Sequence, residues 1–132
     1  MSEIQLNNIP IPLINYVELI RNRKSPYYDI VQFLLKEMDK RGKNIGAICA
    51  APFALNKAGV LKHSYTCYPS VEKQIREEGY LGETKMVVQD GNIMTSRGVG
   101  TALCFALEIV KKLKGETTYN DLKSGLLVDS CK

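Results

Sequence analysis

The chain has 132 residues, 45% of them hydrophobic and 24% charged, with a formal net charge of +4. That is enough chain for one domain around one core, and the composition is that of a globular protein and argues against disorder. The cations are scattered, with small groups at Arg21, Arg23, Lys24 and at Lys111, Lys112, Lys114 that read as solvated faces, so no nucleic-acid partner is expected.

The opening stretch, "MSEIQLNNIP", lacks the basic start and long apolar run of a secretory signal. No apolar run approaches the length of a membrane span, so no membrane association and a cytoplasmic location are expected. Residues 1–24 carry Pro10 and Pro12 within "IPIPLINYVELI", the pattern of an edge strand followed by a helical turn. They form a divergent N-terminal segment before the main body, residues 25–132.

Ser25 suits a helix N-cap and Pro26 the first helical position. Ile30, Phe33, Leu34 and Met38 recur at helical spacing, and Gly42 supplies a stop, which predicts a helix over 26–41. "NIGAICA" reads as a slim central strand. "APFALNKAG" reads as a helix starting near Ala50 and ending at Gly59, "SYTCYP" as a second strand, and "SVEKQIREEG" as a helix ending at Gly79. "KMVVQDGNIMTS" is a hairpin with Asp90-Gly91 as its turn. "GTALCFALEIVKKLKG" is a strongly amphipathic helix closing at Gly115, its lysines complementing the helix dipole, and "TTYNDLKSGLLV" gives one more short helix. Strands alternating with helices predict an α/β layered domain with a largely parallel sheet.

Chemistry in such sheets gathers at the C-terminal ends of strands, and Cys49 is predicted to stand there. Unpaired amides at the start of the following helix favour a thiolate, the reactive form of the side chain. Gly46, Ala47, Ala50 and Ala51 are small enough for a sharp turn, an arrangement akin to a nucleophile elbow with sulfur in place of oxygen. The N–H of Ala50 would then face a developing oxyanion. The competing reading makes Cys49 a small buried apolar side chain; the strand–cysteine–helix placement favours the reactive one.

The other cysteines have neither zinc-ligand spacing nor the setting of a disulfide framework, so no metal site is expected. Cys67 is read as a buried strand residue that could also resolve an oxidised Cys49. Cys104 is read as core, and Cys131 as an exposed tail thiol without an activating context. His63, the only histidine, falls between helix and strand and is read as exposed rather than as a base for Cys49. Tyr68 is placed to line the pocket by Cys49 or to serve as an apolar strand end. "SRGVG" lacks the Lys-Ser/Thr of a phosphate loop and is read as a tight turn positioning Arg97, either for an anion or for an acid across a dimer surface.

"AICAAP" resembles the Ala-Ile-Cys-Ala-Gly-Pro elbow of the DJ-1/PfpI (ThiJ) family. "TCYPSVEKQI" and "GNIMTSRGVGTALCFALEIVKKLKG" resemble the segments that follow that elbow, in the same order, over about Ser25 to Val128. The resemblance implies a flavodoxin-like sandwich, N-terminally incomplete here, related to the class I glutamine amidotransferase-like folds and usually dimeric. It implies cysteine-dependent glyoxalase or deglycase activity, redox sensing or chaperone roles, and no cofactor. By position, Cys49 would be nucleophile and redox centre, Ala50 a backbone donor, and Ser96, Arg97 and Gly98 the loop facing the site or the dimer contact. Tyr68 stands where some members have histidine, and Val99 where some have the proline of Gly-Pro-Gly. The family's N-terminal half, with a glutamate that bonds the thiol and a Gly-Gly loop that completes the oxyanion site, has no counterpart before Ser25.

The expected partners are therefore small carbonyl compounds and a second copy of the chain. The expected function is glyoxalase- or deglycase-like detoxification of small dicarbonyls. The alternatives are a cysteine redox sensor or holdase chaperone, and a shortened product, from splicing, a late start or an incomplete gene model, without activity of its own.

Overall fold

Ile93, Met94, Thr95 and Ser96 are all buried, and they make the central strand of the sheet. The computed structural model describes residues 26–131; the predicted Ser25 cap and the 1–24 segment lie outside the described residues. In chain order the elements are α1 (Pro26–Lys40), β1 (Ile45–Ile48), α2 (Pro52–Lys57), a 3₁₀ turn (Val71–Gln74), β2 (Val87–Asp90), β3 (Ile93–Ser96), a second 3₁₀ turn (Val99–Thr101), α3 (Ala102–Lys114) and α4 (Glu116–Gly125).

The order in the sheet is β1-β3-β2. β1 lies parallel to β3, with Ile45 opposite Ile93 and Ile48 opposite Ser96. β2 is the antiparallel partner in the predicted hairpin, whose loop residues are Gly91 and Asn92 because Asp90 already pairs with Ile93. Gly91 has φ +59°, as the first central position of a two-residue hairpin turn requires.

One face of the sheet carries Ile45, Ala47 and Ile93 into a core with Leu55, Ala58 and Val60, covered by Leu35 of α1. On the other face α3 comes so close to β1 that a Cβ at Gly46 would lie 3.0 Å from Cζ of Phe105. Helices thus cover both faces, as the alternating pattern predicts.

Several predicted elements differ: among the described residues "NIGAICA", expected to be a central strand, is β1 at one edge of the sheet, and β3 is central. "SYTCYP" is not one of the three strands of the sheet among the described residues; Tyr65 instead makes an isolated parallel bridge with Tyr80, outside those strands. "SVEKQIREEG" makes a four-residue 3₁₀ turn, not a ten-residue helix. The Arg76 side chain, instead of extending from a helix, folds back onto the carbonyls of Lys62 and His63, and Arg76's own carbonyl accepts from the Tyr65 hydroxyl. These tertiary bonds hold the segment in a compact loop against Tyr65, Cys67 and Val71, which are buried.

The cysteine pairing also differs from expectation. Cys104 and Cys131 form a disulfide, with Cα atoms 5.3 Å apart. α4 packs on α3, and the chain reverses after α4 through Leu127, at φ +54°. The reversal is closed by bonds from Leu127 N to Ser124 O and Val128 N to Lys123 O, both 3.1 Å, and it returns the tail to the first turn of α3. No helix among the described residues is long and apolar enough to cross a membrane.

Asp39 ties three segments together. Its Oδ1 accepts from Lys62 Nζ at 2.8 Å and from Asn92 Nδ2 at 3.0 Å. The Lys62 bond first, and the Asn92 bond next, hold the Asp39 carboxyl below its ordinary value. A lowered native pKa contributes stability that is present above the ordinary carboxylate range and is lost as pH falls through the native value. Asp39→Asn should therefore lower the urea midpoint at neutral pH, by under ~1 kcal/mol for so solvated a pair, and should flatten the acid limb of the stability profile below about pH 4. An unchanged acid limb would dissociate Asp39 from acid unfolding.

Candidate active site

β1 delivers its last residue, Ile48, to the edge of the sheet, and the chain turns at once. Ala51 N donates to Ile48 O at 3.1 Å, which closes a tight turn with Cys49 and Ala50 at its centre. Cys49 has φ +64°, a left-handed conformation that costs a non-glycine residue about 1–3 kcal/mol. Two bonds hold it there: Cys49 N donates to Ser96 O at 3.0 Å, and Cys49 O accepts from Tyr68 N at 2.9 Å. The strained backbone thus presents the half-buried thiol between the end of β3 and the Tyr68 segment.

The following helix starts later than predicted, at Pro52, and has six residues. Pro52 has no N–H to offer. Ala51 N is used by Ile48 O, and Phe53 N by Ala50 O at 3.1 Å. Ala50 N–H has no intramolecular acceptor among the described residues. Of the amides around the elbow, Ala50 is therefore the one left to meet a negative charge on a ligand. A helix this short adds little dipole of its own, so the donor is a single amide rather than a helix terminus.

Tyr68 is half exposed, and a Cβ at Gly98 would lie 3.5 Å from its Cδ2, so its ring rests against the Gly98 backbone. The structure therefore brings Cys49, Ala50, Tyr68 and Gly98 together. The Arg97 charge lies near enough to the Tyr80 hydroxyl and the Cys67 thiol to favour their ionised forms, and its Nε is buried without a partner among the described residues. His63 is exposed, and its carbonyl serves Arg76, so it takes no part in the site.

Cys67 is fully buried, and its thiol is pushed up to about 12, by desolvation first and then by the Glu72 carboxylate. It stays protonated at neutral pH and makes a poor resolving partner for Cys49. The buried Oε2 of Glu72 was not anticipated: in a regular helix the residue would sit on a solvated face, and the 3₁₀ turn points it inward instead.

The loop under the elbow is tightly bonded. Ser96 Oγ donates to Met86 O at 2.8 Å and shares a hydrogen bond of 2.7 Å with Thr101 Oγ1, which also lies 3.0 Å from Gly98 O. Gly98 N donates to Thr101 Oγ1 at 3.1 Å. Thr101 ends the 3₁₀ turn and stands just before α3, so the strand end that holds Cys49 is fastened to the start of that helix. Neither Thr101 nor this fastening is signalled by the sequence beyond its general turn chemistry. No group of histidine, cysteine and acidic side chains among the described residues is arranged to hold a metal ion.

Comparison with known proteins places these features in context. The model of the DJ-1/PfpI family matches residues 22–112. Protein dj-1beta of Drosophila melanogaster is 44% identical over 100 residues, covering 75% of this chain and 54% of that protein. The Caenorhabditis elegans protein named glutathione-independent glyoxalase DJR-1.2 is 40% identical over 93 residues, covering 70% of this chain and 50% of that one. The crystal structure of Drosophila DJ-1beta superposes with a TM-score of 0.70 at 43% identity, covering 77% of this chain and 55% of that one. The chain spans about half the length of the curated relatives it matches.

Proposed function

Because the chain belongs to the DJ-1/PfpI family, we propose that it carries the nucleophile of a glutathione-independent, glyoxalase-like reaction on small dicarbonyls such as methylglyoxal. The supporting observation is Cys49, held left-handed at the strand end beside the N–H of Ala50, which has no acceptor among the described residues. A relative of this chain bears the name glutathione-independent glyoxalase, which accords with that chemistry.

In the proposed sequence the Cys49 thiolate adds to the aldehyde carbon, and the carbonyl electron pair moves to oxygen. Ala50 N–H donates to that oxyanion, which gains a proton to give a hemithioacetal. The former aldehyde hydrogen then moves as a proton to the neighbouring carbon through an enediol, leaving a thioester of the 2-hydroxy acid. Water cleaves the thioester, releases the acid and restores the thiol. Tyr68 and Gly98, which pack together, flank the reacting carbon on the side of the loop. No cofactor enters this sequence.

The proton transfers need a base. General acid–base assistance of this kind is commonly worth ~10² to 10⁴ in rate. The test is consumption of methylglyoxal without glutathione by the purified chain and by its Cys49→Ser variant. Loss of the activity in the variant is the expected result; equal rates would sink the reading.

Cys49 also supports a second reading, redox sensing. A half-buried thiol with no ionisable resolving partner beside it would hold its oxidised forms rather than pass to a disulfide. Intact-mass measurement under mild peroxide, with oxygen gained at Cys49, is the corresponding assay.

A further inference from the structure

The Cys104–Cys131 disulfide lies outside the proposed chemistry, yet a short path joins it to the elbow. Cys49 N is bonded to Ser96 O, Ser96 Oγ to Thr101 Oγ1, and Cys104 stands one helical turn beyond Thr101. Cys131 brings the tail to that same turn. We propose that this disulfide is a thiol-reducible latch: closed, it pins the C-terminal tail on the first turn of α3 and stiffens the Ser96–Thr101 loop beneath Cys49; open, it releases both.

Three observations give the latch its properties. First, the two sulfurs differ in access. Cys104 is 7% exposed, whereas Cys131, near the chain end, is half buried. A small thiolate therefore attacks at Cys131. The Cys104–Cys131 bond breaks, and Cys104 leaves as a thiolate that takes up a proton. A second small thiol displaces the first from Cys131 as a low-molecular-weight disulfide. Two electrons and two protons then rest on the two cysteines.

Second, the closed form holds the tail in an unfavourable shape. Leu127 sits at φ +54° with its side chain 86% exposed, so no burial of that side chain repays the left-handed backbone. Opening the disulfide removes the covalent restraint on that turn. Third, the backbone positions are compatible with reclosure. Cα atoms 5.3 Å apart lie within the span of a disulfide, and the packing of α4 on α3 keeps the tail nearby.

The test compares the oxidised wild-type chain with two open forms: Cys131→Ser, and wild type reduced by a phosphine that is then removed. Intact mass and peptide mapping should show the oxidised chain two hydrogens lighter, with the Cys104 and Cys131 peptides linked. Cys49 alkylation, read on its own peptide, should be several-fold faster in both open forms. Amide exchange over residues 96–104 and 126–131 should rise together. Recovery of Cys104 and Cys131 as free thiols after mild oxidation would overturn the latch. So would equal Cys49 alkylation rates with unchanged exchange over 96–104. Neither readout depends on turnover of a dicarbonyl, so failure of the latch and failure of the glyoxalase reading are distinguishable.

Discussion

Gly79→Ala is expected to leave little folded protein. Gly79 has φ +80°, and a Cβ there would lie 1.9 Å from the His63 carbonyl oxygen and 2.9 Å from its carbon. The obstacle is backbone, so no rotamer change relieves it. The two segments meeting at this point are joined by Tyr65 N to Gly79 O at 3.0 Å and by Leu81 N to Tyr65 O at 2.9 Å. Separating them would break those bonds and draw Tyr65, which is fully buried, out of its cluster with Cys67 and Val71. Overpacking with strained backbone and lost bonds amounts to about 3–5 kcal/mol, against a typical total stability of ~5–15 kcal/mol. Gly59→Ala is the control: φ is +73°, but nothing lies within 4 Å of the added Cβ. It should cost only about 1 kcal/mol, from the conformation alone. Urea unfolding of both variants measures the contrast, and equal losses would mean that the His63 contact yields easily.

The same junction marks where the sequence is hardest to read. α1, the hairpin, α3 and α4 follow from local signals: proline at the first helical position, a Gly-containing two-residue turn, and apolar residues at helical spacing that stop at Gly115. Their hydrogen bonds are made within an element or with its neighbour, so composition and period suffice. The 65–80 loop is different. Its shape depends on Arg76 reaching the Lys62 and His63 carbonyls and on a glycine that admits one segment against another, contacts that no local pattern encodes. The disulfide is equally non-local: it needs a helix, a second helix and a left-handed leucine to bring Cys131 back to Cys104. At the site, Cys49 at a strand end was legible from the apolar run and its small neighbours. The later start of α2 was not: Pro52 is as acceptable inside a first turn as at its beginning. The choice is made by Cys49, whose positive φ uses two further residues before the helix can start.

That positive φ leads to the second large effect, Cys49→Gly. Glycine takes the left-handed conformation without steric penalty, which relieves about 1–3 kcal/mol, while its greater freedom in the unfolded chain returns about 0.5–1 kcal/mol. The thiol is only half buried, so little packing is lost with it. The net expectation is a variant about 1 kcal/mol more stable, a rise of roughly 4 °C in Tm for a chain of 132 residues. It should also be unable to consume methylglyoxal, because the attacking sulfur is gone. Cys49→Ser separates the two effects. Serine keeps a Cβ and therefore the strain, so that variant should lose the activity without gaining the stability. Thermal melts of the three proteins beside the dicarbonyl assay read both quantities. If the glycine variant melts no higher than the serine one, Cys49 is not strained, and the bonds to Ser96 and Tyr68 hold a conformation the residue would adopt unaided. If it does melt higher, the chain sacrifices stability to keep a sulfur at this turn, as expected of a residue retained for its chemistry.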